Sequence, residues 1–342
     1  MSVAAEKPPA QSTPSGGLRG IVVNLATALA SVLLLLGVVE VTLWATGFSY
    51  VLQPEDIEFG KPDPELMRIG FQQDDHLFWV TPDYEEKIAR LRQEKPPLLF
   101  LGDSCTHLGH YDDELAQRRR GAGEGELSYG NLGVAGWTTF QGLRQLERDA
   151  LPLGPRVVTL YYGWNDHWIG FGVEDAQVAR FKGVFTSRLS RFRLVQLTSK
   201  AALALAARRE PWPNRVPLPD FEANLRSMVR KTRAADALPV LITAATSHRR
   251  GAEPKHLGER WLRDISELVP LHQAYVETVR RVAMEEGAVL CDPAASLGDL
   301  SSAETQEIFM QDGIHFTEEG DRRLAEILDR CFETEGVWDV LF

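Results

Sequence analysis

Four short stretches hold the side chains able to do chemistry in this 342-residue chain. Gly102-Asp103-Ser104 brings a hydroxyl, and Asn131-Leu-Gly133-Val-Ala-Gly136 brings backbone amides in a glycine-containing turn. Gly163-Trp164-Asn165-Asp166 brings a side-chain amide, and Asp312-Gly-Ile-His315 sets a carboxylate three residues before an imidazole. A serine hydroxyl is a poor nucleophile at neutral pH, so an imidazole has to take its proton as it attacks a carbonyl. Asp312 and His315 on one turn can put the carboxylate beside Nδ1 and leave Nε2 facing Ser104. Negative charge then appears on the carbonyl oxygen only in the transition state, where fixed donors are worth about 3–4 kcal/mol each. That chemistry is acyl transfer through serine. Each stretch alone has a plainer reading: Ser104 or Asn165 as a helix cap, Gly133 and Gly136 as turn formers, Asp312 and His315 as a loop pair.

What positions the four stretches decides between these readings. Leu98 to Leu101 is a continuous apolar run into Gly102, the pattern of a parallel strand buried on both faces. From Pro96 onward, apolar runs alternate with amphipathic stretches, which reads as βαβ units. Strands are expected at Leu98–Gly102, Leu127–Leu132, Arg156–Tyr162, Leu238–Ala244 and Ala288–Cys291. Helices are expected around Tyr111–Arg120, Thr138–Leu151, a segment capped by Asp220, Leu271–Glu286, and one starting near Thr317. The fold class that follows is α/β: a three-layer α/β/α sandwich on a five-stranded parallel sheet. The first three stretches fall at the carboxyl ends of the first three strands, and the fourth follows the last strand and a loop. In open α/β sheets, ligands bind at those ends.

In this order and on these strand ends, the four stretches resemble the SGNH (GDSL-type) hydrolase superfamily. The resemblance covers about residues 96–335 and implies a flavodoxin-like sheet and hydrolysis of ester bonds. Carried over by position, it implies Ser104 as nucleophile, His315 as base and Asp312 as the group orienting it. It further implies an oxyanion hole built from the Ser104 amide, the Gly136 amide and the Asn165 side chain. Gly136, five residues after Asn131, fits the family's oxyanion glycine better than Gly133. Asp103 and Asp166 read as structural, bonding nearby loop amides; His107, His167, Trp168 and Tyr275 read as pocket-lining, core or surface residues. No cofactor and no metal is implied.

Residues 1–19 form a Pro-, Ser- and Gly-rich tail expected to be disordered. Ile21 to Trp44 is almost wholly apolar, broken by Asn24, Thr27, Ser31, Glu40 and Thr42. As a helix these residues span roughly 36 Å, against about 30 Å of hydrocarbon. No small-x-small cleavage site follows Leu43, so residues 20–46 read as an uncleaved transmembrane anchor with a cleaved signal peptide as the rival. Lys7 and Arg19 precede it, whereas Glu55, Asp56 and Glu58 follow, which puts the tail in the cytoplasm and the rest outside. Glu40 is costly deep in lipid and is expected to reach the interface or a partner. Residues 47–95 read as a juxtamembrane connector packing on the catalytic domain, its Leu77–Val80 run strand-like or interfacial.

Two long connections stand out. Residues 168–216 read as a lid-like insertion. Its cations, from Arg180 through Arg188, Arg191, Arg193 and Lys200 to Arg215, together with Phe181, Phe185, Leu189 and Phe192, make it basic and amphipathic. It is expected either to cover the cleft as a solvated helix or to touch anionic headgroups or polymer. Residues 246–268 form a second rim loop, with His248 and His256 expected at the surface.

A net charge of −11 argues against nucleic-acid binding. Three cysteines make no disulfide framework. Cys291 and Cys331 are expected as two buried thiols, with a single bridge between them as the alternative, and Cys105 as packed in the turn after Ser104. The function expected is that of a single-pass membrane serine esterase with a periplasmic or cell-surface domain. Its substrates would be O-acetyl or other short acyl groups on envelope glycan or lipid. An O-acyltransferase with the same triad and an inactive anchored scaffold are the alternatives.

Overall fold

A computed structural model of the chain describes residues 18–49, 70–123, 125–170, 173–186, 188–206, 208, 212–258 and 261–342. The tail at 1–17 and the acidic part of the connector, with Pro54, Glu55, Asp56, Glu58 and Lys61, lie outside the described residues. Helix α1 (Leu18–Ala45) contains the stretch Gly20–Ala45, which is long and apolar enough to cross a membrane, with a mean hydropathy of 2.5. Its Thr27, Ser31 and Thr42 hydroxyls all donate to carbonyls of their own helix four residues back. That is how hydroxyls are satisfied where water is absent.

A small hairpin of β1 (Gln72–Asp74) and β2 (Phe78–Val80) follows, then α2 (Tyr84–Glu94). The aromatic run packs on the body of the protein rather than on a membrane interface. Trp79 Nε1 donates to the Ala135 carbonyl and Trp137 Nε1 to the Trp79 carbonyl, both at 3.0 Å.

The sheet strands are β3 (Leu98–Gly102), β4 (Tyr129–Asn131), β5 (Val157–Tyr161), β6 (Leu238–Ile242) and β7 (Val289–Cys291). They are all parallel, in the order β4-β3-β5-β6-β7. This is the flavodoxin-like order, whose switch point lies between β3 and β5. Side chains alternate between two cores. Leu99, Leu101, Val158, Leu160 and Leu241 face one, and Leu98, Phe100, Val157, Tyr161, Val240 and Ile242 face the other. The first core is covered by α2, by α8 (Leu218–Ala234) through Phe221, Leu225 and Met228, and by α9 (Leu268–Glu286) through Val279 and Val282. The second is covered by α4 (Tyr111–Gly121) through Tyr111 and Leu115 and by α11 (Glu318–Thr334) through Leu324, Leu328 and Phe332. Between Ser104 and α11 the chain also forms α3 (Ser104–His107), α5 (Thr139–Gln145), α6 (Asp175–Thr186), α7 (Arg193–Ala206) and α10 (Ser302–Ile308).

Several expectations need correction. Cys291 and Cys331 are joined as a disulfide, with Cα atoms 5.6 Å apart, because α11 packs against β7 and brings residues 40 positions apart together. The helix assigned an Asp220 cap starts earlier, at Leu218 behind Pro217, so Asp220 lies in its first turn. The helix after Thr138 ends at Gln145 and relaxes through a wider turn (146–150) and a tighter one (151–153) that accepts Pro152. Cys105 is buried as a free thiol.

Candidate active site

The first strand end is shaped by close packing. A Cβ on Gly102 would lie 2.0 Å from Thr106 Oγ1 and 2.8 Å from the Tyr161 carbonyl, so only glycine lets α3 turn so tightly off β3. Asp103 caps that turn, its Oδ1 accepting the Cys105 amide at 2.9 Å. Ser104 then stands at the strand tip, half-exposed.

The loop between α10 and α11 carries the imidazole. Asp312 Oδ1 accepts the amides of Ile314 and His315 at 2.9 and 3.0 Å, folding the loop over its own carboxylate. That leaves Oδ2 for His315 Nδ1, 2.6 Å away, while His315 Nε2 lies 2.8 Å from Ser104 Oγ. Burial would raise the Asp312 carboxyl, but the His315 hydrogen bond and charge and the two amides outweigh it and hold it at about 2. The carboxylate is therefore charged, Nδ1 carries the proton, and Nε2 accepts from the Ser104 hydroxyl. For His315, burial works to lower the pKa; the Asp312 hydrogen bond and charge, and the Asp103 charge, overcome this and raise it. His315 and Asp312 side chains remain 24% and 32% exposed, so the site opens to solvent.

The other two strand ends converge on the same place. Asn165, buried at the end of β5, donates from Nδ2 to Asp103 Oδ2 at 3.1 Å, which orients its amide beside Ser104. Burial pushes the Asp103 carboxyl up to about 6, against the Cys105 amide, the His315 charge and Asn165, which favour its anion. After β4, Asn131 Oδ1 accepts the Gly133 amide at 2.9 Å, which occupies that donor. Gly136 has φ +78°, a conformation open to glycine. Among the described residues neither its amide nor that of Ser104 meets a protein acceptor. Asp166 is buried and accepts the Thr139 amide at 2.9 Å, locking the β5 loop to the start of α5; burial raises its carboxyl to about 7.

Two residues that hold this arrangement escaped the sequence reading. Arg215, counted there among the insertion's cations, is fully buried. Its Nη2 pairs with buried Asp175 at 2.9 Å and its Nη1 donates to the Gly136 carbonyl at 2.7 Å. Asp175 also accepts from Thr138 Oγ1. The two stems of the insertion therefore close on each other and grip the turn that carries Gly136. His248, expected at the surface, is buried, and its Nε2 donates to the Asp312 carbonyl at 2.7 Å. Ser247 and Thr246 bond the adjacent Gly313 carbonyl. Neither role leaves a signal in sequence beyond the residue type.

Of the remaining residues, His107 bonds the Gly133 carbonyl, and His167, Trp168 and Tyr275 are buried beneath the site. Trp164 stacks on His272, which bonds His167 and the Ala244 carbonyl. Burial drives His167 well below, and His272 to about 4, keeping these imidazoles neutral. Among the described residues no cluster of three or more His, Cys, Asp or Glu could hold a metal ion.

Ser104, His315 and Asp312 thus stand in one hydrogen-bonded line at the switch point of a doubly wound, flavodoxin-like sheet. Residues 100–323 match the model of the GDSL-like Lipase/Acylhydrolase family, and the chain belongs to that family. It is an ester-hydrolysing enzyme. No curated protein matches it. Among solved structures it is similar to a lipase/acylhydrolase from Enterococcus faecalis, at 17% identity and a TM-score of 0.46 over 70% of this chain and 96% of the other. It is similar to a GDSL-like lipase from Bacteroides thetaiotaomicron (14% identity, TM-score 0.45, 74% and 96% of the two chains). An acetylxylan esterase from Geobacillus stearothermophilus gives 20% identity and a TM-score of 0.44, over 70% and 93%.

Proposed function

We propose that the protein is a serine esterase that works through an acyl-serine intermediate. The observation carrying this reading is the unbroken hydrogen-bonded line from Ser104 Oγ to His315 Nε2 and from Nδ1 to Asp312 Oδ2, at 2.8 and 2.6 Å. Ser104 Oγ attacks the ester carbonyl as its proton passes to Nε2, and Asp312 stabilises the imidazolium that forms. The oxyanion is held by the Ser104 amide, the Gly136 amide and the second Nδ2 hydrogen of Asn165, whose first is committed to Asp103. The imidazolium then protonates the leaving alcohol. Water, deprotonated by the same nitrogen, releases the acid. The open, half-exposed nucleophile suits a short acyl group on a large alcohol, and O-acetyl groups of envelope glycan or lipid fit that description.

The catalytic domain is assigned to the outside of the cytoplasmic membrane. Flanking charge favours this orientation, and the Cys291–Cys331 disulfide is at home in an oxidising compartment. The test uses the full chain in nanodiscs, with aryl esters of increasing acyl length and an acetylated glycan as substrates. Wild-type protein takes up a fluorophosphonate at Ser104 and hydrolyses the short esters; Ser104→Ala does neither. Turnover by Ser104→Ala equal to that of the wild type would overturn the mechanism.

A further inference from the structure

The insertion is tied to the anchor at a defined point. Glu40, in the last turns of α1, accepts the Arg193 amide through Oε1 and the Leu194 amide through Oε2, both at 2.8 Å. These are the first two free amides of α7, so a carboxylate from another helix serves as its cap and meets the positive end of its dipole. Arg193 Nη1 donates to Ser49 Oγ just beyond α1, at 2.9 Å. A glutamate that would be costly in lipid is thereby satisfied.

Helix α7 carries apolar residues on its exposed side as well as on its covered one, where Leu194, Val195 and Ala202 are half-buried; a helix packed only on a globular surface is polar outward. Its buried positions include polar Gln196 and Ser199. Its exposed arc is Leu197, Ala201, Ala204 and Leu205, apolar at i, i+4, i+7 and i+8. Thr198, on the same side, folds its hydroxyl onto the Leu194 and Val195 carbonyls, as the hydroxyls of α1 do. Leu189 and Phe192 are also exposed, and Lys200 and Arg191 flank the arc with positive charge. Trp44, 71% exposed near the end of α1, is the residue type favoured at a membrane interface.

We propose that α7 is a second membrane-contacting element. It lies at the bilayer interface beside α1, its apolar arc against the acyl chains and its cations among anionic headgroups, and Glu40 clamps it there. The occupant of the arc is bilayer lipid, because the arc is continuous with a helix exposed on all sides and long enough to span a membrane. The inference rests on the reading of α1 as a membrane span.

The experiment uses the full chain in nanodiscs of equal parts phosphatidylcholine and phosphatidylglycerol. With Cys105 buried and the other two cysteines bonded, one introduced thiol carries an environment-sensitive dye. Leu33→Cys reports the anchor, Leu197→Cys the arc, and Met284→Cys, on α9, the body of the domain. Spin-labelled lipids are expected to quench positions 33 and 197 and to leave 284 bright. Quenching at 33 with position 197 as bright as 284 overturns the inference alone; no quenching at 33 removes the anchor reading with it. A dye at 197 shielded from water but not quenched, with crosslinks between copies, assigns the arc to protein and also overturns it. Adding Glu40→Leu is expected to lower the ratio of docked to undocked α7 about fivefold, the effect of losing one helix cap. Undiminished quenching at 197 in that variant refutes the clamp. Hydrolysis of a soluble aryl ester at the wild-type rate shows that each variant is folded.

Discussion

Replacing Asp312 by asparagine tests the site more sharply than deleting it, because the structure dictates how the new amide must sit. Oδ1 accepts two backbone amides, from Ile314 and His315, and only an oxygen can do so. The NH2 of Asp312→Asn therefore has to occupy the Oδ2 position, facing His315 Nδ1, where it donates. Nδ1 becomes an acceptor, the ring proton moves to Nε2, and the ring can no longer take a proton from Ser104. The loop keeps its fold while the base is held in the wrong tautomer, a change worth about 10⁴ in kcat.

The pH profile supplies a second readout that a merely loosened loop would not give. In the wild type His315 has a raised pKa, so the acid limb of activity, where the imidazole protonates, is shifted upward from that of a free imidazole. Without the Asp312 charge, burial, which acts to lower this pKa, is opposed only by Asp103, and the acid limb moves to lower pH. Initial rates on a soluble aryl ester, measured with the full chain in nanodiscs across the acid range, read both quantities. A variant within about tenfold of the wild type, or an acid limb that stays in place, would refute the assignment of Asp312 and the tautomer reasoning with it.

Two further expectations concern buried charge. Arg215→Lys keeps a cation for Asp175, but a single ammonium cannot reproduce the fork that also grips the Gly136 carbonyl. The expected result is a fall in kcat of up to about a hundredfold with KM little changed. Unaltered kcat would separate the insertion stem from the proposed oxyanion role of the Gly136 turn. Asp166 has a folded-state pKa raised to about 7 by burial, so its contribution to stability is full below the unfolded value near 4 and is lost as pH rises through 7. Asp166→Asn keeps an oxygen for the Thr139 amide and removes that dependence. Its denaturant stability, relative to the wild type, should therefore rise with pH across this window, by at most about 1.4 kcal/mol per pH unit. A difference independent of pH would mean that Asp166 titrates normally.

The sheet was legible because all its strands but the edge strand Tyr129–Asn131 are largely apolar runs, and because the helices that cover it show apolar faces. The stretches at the strand tips were legible for a related reason: their residue types serve turns and chemistry together, as Asp103 caps α3 while leading into Ser104. What sequence concealed depends on pairing across distance. Arg215 looks like one more cation in a basic segment; only the fold puts it beside Asp175 and, 79 positions away in the chain, Gly136. The same holds for His248, whose partner is a backbone carbonyl on a distant loop, and for Cys291 and Cys331, whose spacing says nothing until α11 is laid on β7. Local signals also misplaced one helix start, since Pro217 at the cap and Pro219 in the first turn have no amides to leave unpaired and outcompete Asp220.

The insertion links these observations. At one end α7 takes its cap from Glu40 on α1, and at the other the Arg215 stem holds the peptide that carries Gly136. A segment fixed only at the cleft would behave as an ordinary cover. One fixed only at the anchor would be a membrane ornament without consequence for chemistry. Fixed at both, as the proposal has it, the segment would tie the orientation of the strand tips, and hence of Ser104, to the axis of α1.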